Sequence, residues 1–217
     1  MAKRFFISVA AAILLLFPAK SFAQFYAGAG YLNSKMNVHS DESYLNLNFN
    51  GNGFYITAGY SINLGGGFAL TPALTFQQFK YDVIDFSYEM DDYNVGINSF
   101  MTEQYITVPF HLSFGHQISD DIRIFAFAGP SVAWGITSKI VAKSSFEGIS
   151  MDETFDNYKE EVFSPLDVSA GGGAGIDLLG HYRITASYDY GLMNRYLDPE
   201  EGSANRKWLQ VGLAYIF

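Results

Sequence analysis

His111 and Ser113 stand two residues apart, a spacing that puts both side chains on one face of an extended strand, and Asp167 or Glu103 could complete a hydrolase-like set with them. In that chemistry an imidazole takes the hydroxyl proton while a carboxylate orients the ring. The spacing argues against it. Neighbours at i and i+2 lie about 7 Å apart, beyond hydrogen-bond reach, and no nucleophile elbow surrounds Ser113. Polar filling of an enclosed interior is the better account of both residues. His39, His116 and His181 are scattered and make no transition-metal set.

Two further groups carry charge. Arg123, Arg183, Asp177, Glu103, Asp167 and Asp189 all fall on the small, polar face of alternating runs. Arg183 and Asp177 flank one short turn, so they are expected to pair across two antiparallel strands. A narrow gated ion path is the functional alternative to a packed ion network; packing is preferred, because charges enclosed in a narrow lumen must find partners. The second group is acidic: Asp82, Asp85, Glu89, Asp91 and Asp92, then Glu147, Asp152, Glu153, Asp156, Glu160 and Glu161. Carboxylate clusters hold calcium or magnesium, but Asp91 is followed by Tyr93 and Val95 where an EF-hand needs ligands. Solvated loops are therefore expected. Phe86, Tyr88, Tyr93, Phe100, Phe146, Phe155 and Tyr158 accompany these acids, so the segments either prolong strands or form a recognition surface.

The elements that position these residues are strands. Leu209, Val211, Leu213, Tyr215 and Phe217 fall on one face of the last run, with Gln210, Gly212 and Ala214 on the other. Phe54, Ile56, Ala58, Tyr60 and Ile62 alternate with Tyr55, Thr57, Gly59, Ser61 and Asn63 in the same way. The sequence predicts eight strands, at 24–34, 54–63, 68–81, 102–115, 122–137, 166–178, 182–192 and 208–217. Short turns at 64–67, 117–121 and 179–181 alternate with long loops at 35–52, 82–101, 138–164 and 193–206. Each strand has about the 9–11 residues that cross a bilayer when tilted. The layout is an all-β, eight-stranded antiparallel transmembrane β-barrel with short periplasmic turns and long extracellular loops. Arg123 and Thr137 are expected to face inward. Trp134, Tyr188 and Tyr190 are placed in the outer aromatic girdle, and Tyr60, Phe68, Phe114, Tyr182, Tyr215 and Phe217 in the periplasmic one. Pro72 and Pro109 remove ladder donors, so a bulge or wide spacing is expected at each.

Residues 1–23 read as an export signal: Lys3 and Arg4, an apolar run from Phe5 to Phe17, then Ser21-Phe22-Ala23, with the cut between Ala23 and Gln24. The run is too short for a spanning helix, and no later window is apolar enough for one. Residues 24–217 form one domain. The formal net charge is −9 and falls further once Lys3, Arg4 and Lys20 are removed, which excludes nucleic acid as a partner. No cysteine is present, so disulfides, thiol catalysis and cysteine-ligated metals are excluded. No cofactor motif is found. Aromatics at 17% against charged residues at 16% suit a chain that shows rings to lipid and keeps charge for loops and lumen.

Four segments then carry a resemblance: Ile106-Thr107-Val108-Pro109-Phe110-His111-Leu112, Ala128-Gly129-Pro130-Ser131-Val132, Ala170-Gly171-Gly172-Gly173-Ala174-Gly175-Ile176 and Tyr188-Asp189-Tyr190-Gly191-Leu192. With the closing Leu213-Ala214-Tyr215-Ile216-Phe217, they are similar to the small outer-membrane β-barrel family often called PorT-like. The resemblance implies residence in the outer membrane of a Gram-negative cell, among its lipids. It also implies that Leu213, Tyr215 and Phe217 form the signal read by the barrel-assembly machinery. The expected function is non-enzymatic: a structural or surface-interaction role carried by the extracellular loops, toward a partner the sequence does not identify. The alternatives are an accessory of protein secretion and a soluble, lipocalin-like barrel for a small ligand, which would need the apolar face turned inward.

Overall fold

A computed structural model of the chain describes residues 23–40, 45–90, 93–146, 149–198, 200 and 202–217. The export-signal reading of residues 1–22, and the acidic positions Asp91, Asp92 and Glu147, lie outside these residues, as do the side chains of Asp85 and Glu89. Nine strands follow in order: β1 (Ala23–Ser40), β2 (Leu45–Gly65), β3 (Phe68–Met90), β4 (Tyr93–Ser119), β5 (Ile122–Phe146), β6 (Ile149–Asp156), β7 (Leu166–Leu178), β8 (Tyr182–Gly191) and β9 (Gly202–Ile216). Every pairing is antiparallel. Eight strands close in the cycle β1-β2-β3-β4-β5-β7-β8-β9 and back to β1, and among the described strands β6 pairs only with β5.

Period-two alternation dictates which residues fill the ring. Tyr55, Phe79, Tyr81, Tyr105, Trp208, Leu32 and Met36 point inward and are buried, while Tyr31, Phe54, Ile56, Leu112, Phe114, Ile124, Ile184 and Leu213 point outward and are exposed. An apolar exterior around a charged interior is the reverse of a soluble lipocalin-like barrel, so that alternative is set aside. Near the short turns the outward aromatics touch: Phe25 lies 5.4 Å from Tyr60 and 5.2 Å from Phe217, Tyr215 lies 5.0 Å from Phe217, and Phe68 lies 4.9 Å from Phe114.

Three corrections to the sequence reading follow. The described residues of 35–52 and 82–101, and most of 138–164, are strand rather than loop. β1 pairs with β2 out to Ser40 opposite Leu45, β3 with β4 out to Met90 opposite Tyr93, and β5 with β6 out to Phe146 opposite Ile149. The 27 residues of β4 span about 90 Å at ~3.4 Å each, far more than a hydrocarbon layer of about 30 Å demands even for a tilted strand. Alternation continues past the apolar belt with polar residues on its outward face, and in sequence such polar strands look like loops.

Of the two outcomes expected at Pro72 and Pro109, the bulge is absent, and the wider spacing of ladder partners is what occurs. The register is unchanged across both; the ladder only skips partners there, and Pro130 is tolerated inside β5 opposite Ala170. Register shifts lie elsewhere, at Asn63/Gly65, Asp82/Ile84, Gln104/Tyr105 and Gln117/Ser119. The one at Gln104/Tyr105 reverses an assignment: Tyr105 pairs with Gly135 but Gln104 with Thr137, so β5 carries an extra residue. Thr137 is thereby turned to the outer face, and Ser138 takes the inward place opposite Glu103.

Candidate functional site: a lumen closed at two levels

Near the short turns, Arg123, Asp177 and Arg183 come from β5, β7 and β8, adjacent strands whose register sets Asp177 opposite both arginines. Arg183 donates to both carboxylate oxygens of Asp177, at 2.7 and 3.0 Å, and Arg123 donates to Oδ2 at 3.0 Å. The Arg183 guanidinium also faces the rings of Phe125 at 4.7 Å and Tyr26 at 5.2 Å. This cluster closes the lumen below a small chamber. On the short-turn side of it lies an open recess of about 470 Å³ bordered by Gln24, Asn63, Gln117 and Arg123.

At the other level, beyond the apolar belt, Glu103 meets Arg195 through bonds of 2.5 and 3.1 Å. Ser138 donates to the same carboxylate at 2.9 Å, and Asn157 donates to Ser138 at 2.9 Å. Arg195 also donates to the Tyr105 hydroxyl at 2.7 Å. Arg206 donates to Asp167 at 3.1 Å and is boxed by Tyr105, Trp208 and Phe79 at 4.1, 4.5 and 4.8 Å from their ring centres. Glu103, Arg195 and Arg206 are buried outright. Burial works against the charge of Arg195, but Glu103, Tyr105 and Tyr158 together outweigh that penalty, and the Arg195 proton is held well above the ordinary arginine range. Glu103 shows the same contest: burial opposes its charge, and Arg195 overcomes it, holding the carboxyl below its usual range.

Segments 157–165 and 192–198 deliver Arg195 to this place. They zip to each other through the Phe163–Tyr196 bridge, the 2.7 Å bond from Ser164 N to Arg195 O and the 3.1 Å bond from Leu197 N to Val162 O. Arg195 N bonds Ala204 O at 3.0 Å, so the segment is also tied to β9. Tyr158 lies where a side chain at Gly135 would stand: a Cβ there would meet its hydroxyl at 2.0 Å. Burial pushes the Tyr158 phenol up to about 12.

Between the two levels is a chamber of about 100 Å³, lined by Thr57, Thr75, Thr107, His111, Ser187 and Gln210 among others. Asp189 borders it and takes bonds from Gln210 at 2.8 Å and Ser187 at 3.4 Å. The sequence places His111 and Ser113 together, but the structure gives them separate tasks. Ser113 donates to Ala69 O at 3.1 Å, while the His111 ring stacks on Phe127 at 5.1 Å and its Nε2 has no hydrogen-bond partner. Neither Asp167 nor Glu103 is available to it, since both are held by arginines.

The sequence reading had named Arg123 and Arg183 against four acids. Arg195 and Arg206 complete the set, giving Glu103, Asp167, Asp177 and Asp189 as many cations as anions. Both fall in the stretch 193–206 that the sequence predicts as loop, whereas Arg206 stands on β9. Their signal was the imbalance itself, and for Arg206 its place two residues before Trp208 and four before Gln210 on the inward face.

No protein of curated function matches the sequence. Among solved structures, the chain is similar to Ail, the attachment invasion locus protein of Yersinia pestis, crystallised with the heparin analogue sucrose octasulfate: 18% identity, 91% of this chain and 100% of that one, TM-score 0.47. It is similar to Neisserial surface protein A at 15% identity, 91% and 100% coverage, TM-score 0.45. The outer membrane enzyme PagL aligns at 13% identity over 84% of this chain and 97% of that one, TM-score 0.34. Residues 5–217 match the family described as outer membrane protein beta-barrel domain, which spans the closed ring and nearly the whole sequence. The chain belongs to that family, and it is an outer-membrane β-barrel protein.

Proposed function

We propose that this barrel carries out no reaction and conducts no ions, and that it acts through the surface its long hairpins present outside the cell. The observation that supports this is the double closure of the lumen: Asp177 with two arginines at one level, Glu103 and Asp167 with two more at the other. Among the described residues all four lumen arginines are spent on carboxylates, and Asp189 is held by Gln210 and Ser187. Above the belt, in contrast, β6 offers an edge that pairs with no other described strand, and Met151, Phe155 and Leu197 stand exposed. Apolar side chains held in solvent on a rigid sheet are what a protein partner buries first. An accessory role in protein secretion would use this same surface. Export by residues 1–23, cut between Ala23 and Gln24, and assembly through the lipid-facing Leu213, Tyr215 and Phe217 complete the proposal.

Complementation of a strain lacking the protein tests it. Replacement of residues 143–154 by a short turn is expected to leave a membrane-inserted barrel that fails to complement, whereas His111→Ala with Ser113→Ala is expected to complement fully. The opposite pattern, a functional trimmed barrel and a dead chamber variant, would return the activity to the lumen. Planar bilayers containing the purified barrel are expected to show no unitary conductance steps.

A further inference from the structure

The outward face changes character abruptly at its upper rim. On β9 the last apolar outward position is Leu209, and the next is Lys207; on β1 Tyr31 is followed outward by Asn33 and Lys35. At ~3.4 Å per residue and a tilt of about 40°, two to four residues bring these lysines roughly 5–10 Å above the hydrocarbon boundary. The headgroup layer occupies about that height, since a bilayer of roughly 40–45 Å encloses a core of about 30 Å.

Lys35 and Lys207 are direct cross-strand partners. Like charges set directly opposite repel. Among the described residues neither ammonium is ion-paired, and Asp82, an acid on β3, is two strands removed from Lys35. Lys207 rests 5.1 Å from the centre of the Tyr190 ring, which holds its cation at the wall. Immediately above lies a recess of about 320 Å³, at the lower end of the roughly 300–1,000 Å³ usual for ligand pockets. Its polar lining is Asn37, His39, Asn48, Ser203 and Asn205, and register sets Asn205, Asn37 and Asn48 side by side across β9, β1 and β2. Each amide offers two donors and an acceptor, the mixture that neighbouring sugar hydroxyls require.

We infer that this wall binds one molecule of a phosphorylated glycolipid of the outer leaflet. A phosphate is held between Lys35 and Lys207, and the saccharide lies in the asparagine recess. The acyl chains run down the apolar face past Leu209 and Tyr31. The two repelling cations become a single anion site once a phosphate sits between them. The proposal rests on the long hairpins facing outward; labelling of Met151→Cys on intact cells tests that orientation separately.

The test is a titration of the detergent-folded barrel with diphosphorylated lipid A and with its dephosphorylated form, read by native mass spectrometry, with inorganic phosphate as competitor. The phosphorylated glycolipid is expected to bind about tenfold tighter than the dephosphorylated one, and Lys35→Gln with Lys207→Gln to lose about that factor. Lys143→Gln, which removes an equal charge from β5, is expected to bind as wild type. Asn205→Asp sets a carboxylate two residues from Lys207 on the same face and is expected to weaken binding without touching either lysine. Equal affinity for the two lipids would overturn the inference, as would unaltered binding by the double variant and by Asn205→Asp, or an equal loss in Lys143→Gln. Displacement by millimolar inorganic phosphate would overturn it in favour of phosphate alone.

Discussion

Arg195 and Glu103 lie 92 residues apart in the chain, yet they share two hydrogen bonds of 2.5 and 3.1 Å in an environment that excludes water from both. The pair ties a segment between β8 and β9 to the middle of β4. It thus decides whether the outer part of the lumen is a filled core or an open mouth. Removal of one partner leaves a buried charge unmatched, at a cost of about 3–5 kcal/mol, whereas removal of both costs much less. Arg195→Met is expected to lower the urea midpoint of the micelle-folded barrel sharply, and Glu103→Gln with Arg195→Met to recover much of the loss. A double variant that loses the sum of the two single losses would show that the pair is not coupled.

Acid should loosen the same region. The folded Glu103 carboxyl is held below its unfolded value, so its contribution is fully present above the ordinary carboxylate range and is lost as pH falls through the lower folded value. Below about pH 4, hydrogen exchange is expected to rise in 157–165 and 192–198 while strands of the apolar belt stay protected. Glu103→Gln should abolish the pH dependence. Uniform exchange across belt and outer segments would mean the barrel opens as one unit.

The hairpin joining β7 to β8 turns through Leu179 and Gly180 at φ values of 53° and 71°, closed by a 3.1 Å bond from His181 N to Leu178 O. Two central residues of positive φ suit a hairpin's twist, but leucine pays about 1–2 kcal/mol to adopt that conformation. Leu179→Asn is expected to stabilise the folded barrel by about 1 kcal/mol, read as a higher urea midpoint. An unchanged or lower midpoint would locate the turn's stability in the exposed leucine side chain instead.

Tyr55 crosses the lumen floor onto Gly212, where an added Cβ would stand 2.0 Å from the tyrosine hydroxyl and 2.8 Å from the ring. Gly212→Ala is expected to cost about 1–3 kcal/mol through overpacking. Tyr55→Phe removes the nearest atom and should restore part of that loss; a strictly additive double variant would break the proposed contact.

Within the apolar belt the fold was legible in the sequence, because a lipid exterior imposes strict alternation and short turns carry glycine or paired aspartates. Phe54 to Asn63 could be assigned face by face for this reason. Beyond Leu209 or Phe76 the exterior faces water, alternation loses its apolar half, and strands such as the outer part of β3 and β4 become indistinguishable from polar loops. The bulge that turns Ser138 inward was equally hidden, since Thr137 and Ser138 present the same chemistry to a period-two count. Arg183 and Asp177 were readable together because they flank one tight turn. Arg195 was not: its partner lies in another part of the chain, and only a demand for electrical neutrality inside the lumen pointed toward it.

β5 exchanges its neighbour midway, pairing with β7 up to Trp134 opposite Leu166 and with β6 from Lys139 opposite Asp156. The hydrogen-bonded cycle therefore closes without β6. An insertion directly after Phe146 is expected to leave that cycle intact. A foreign epitope spliced there would ride at the end of a stiff four-stranded sheet of β3, β4, β5 and β6, with nothing in the lipid-embedded cycle having to move to admit it.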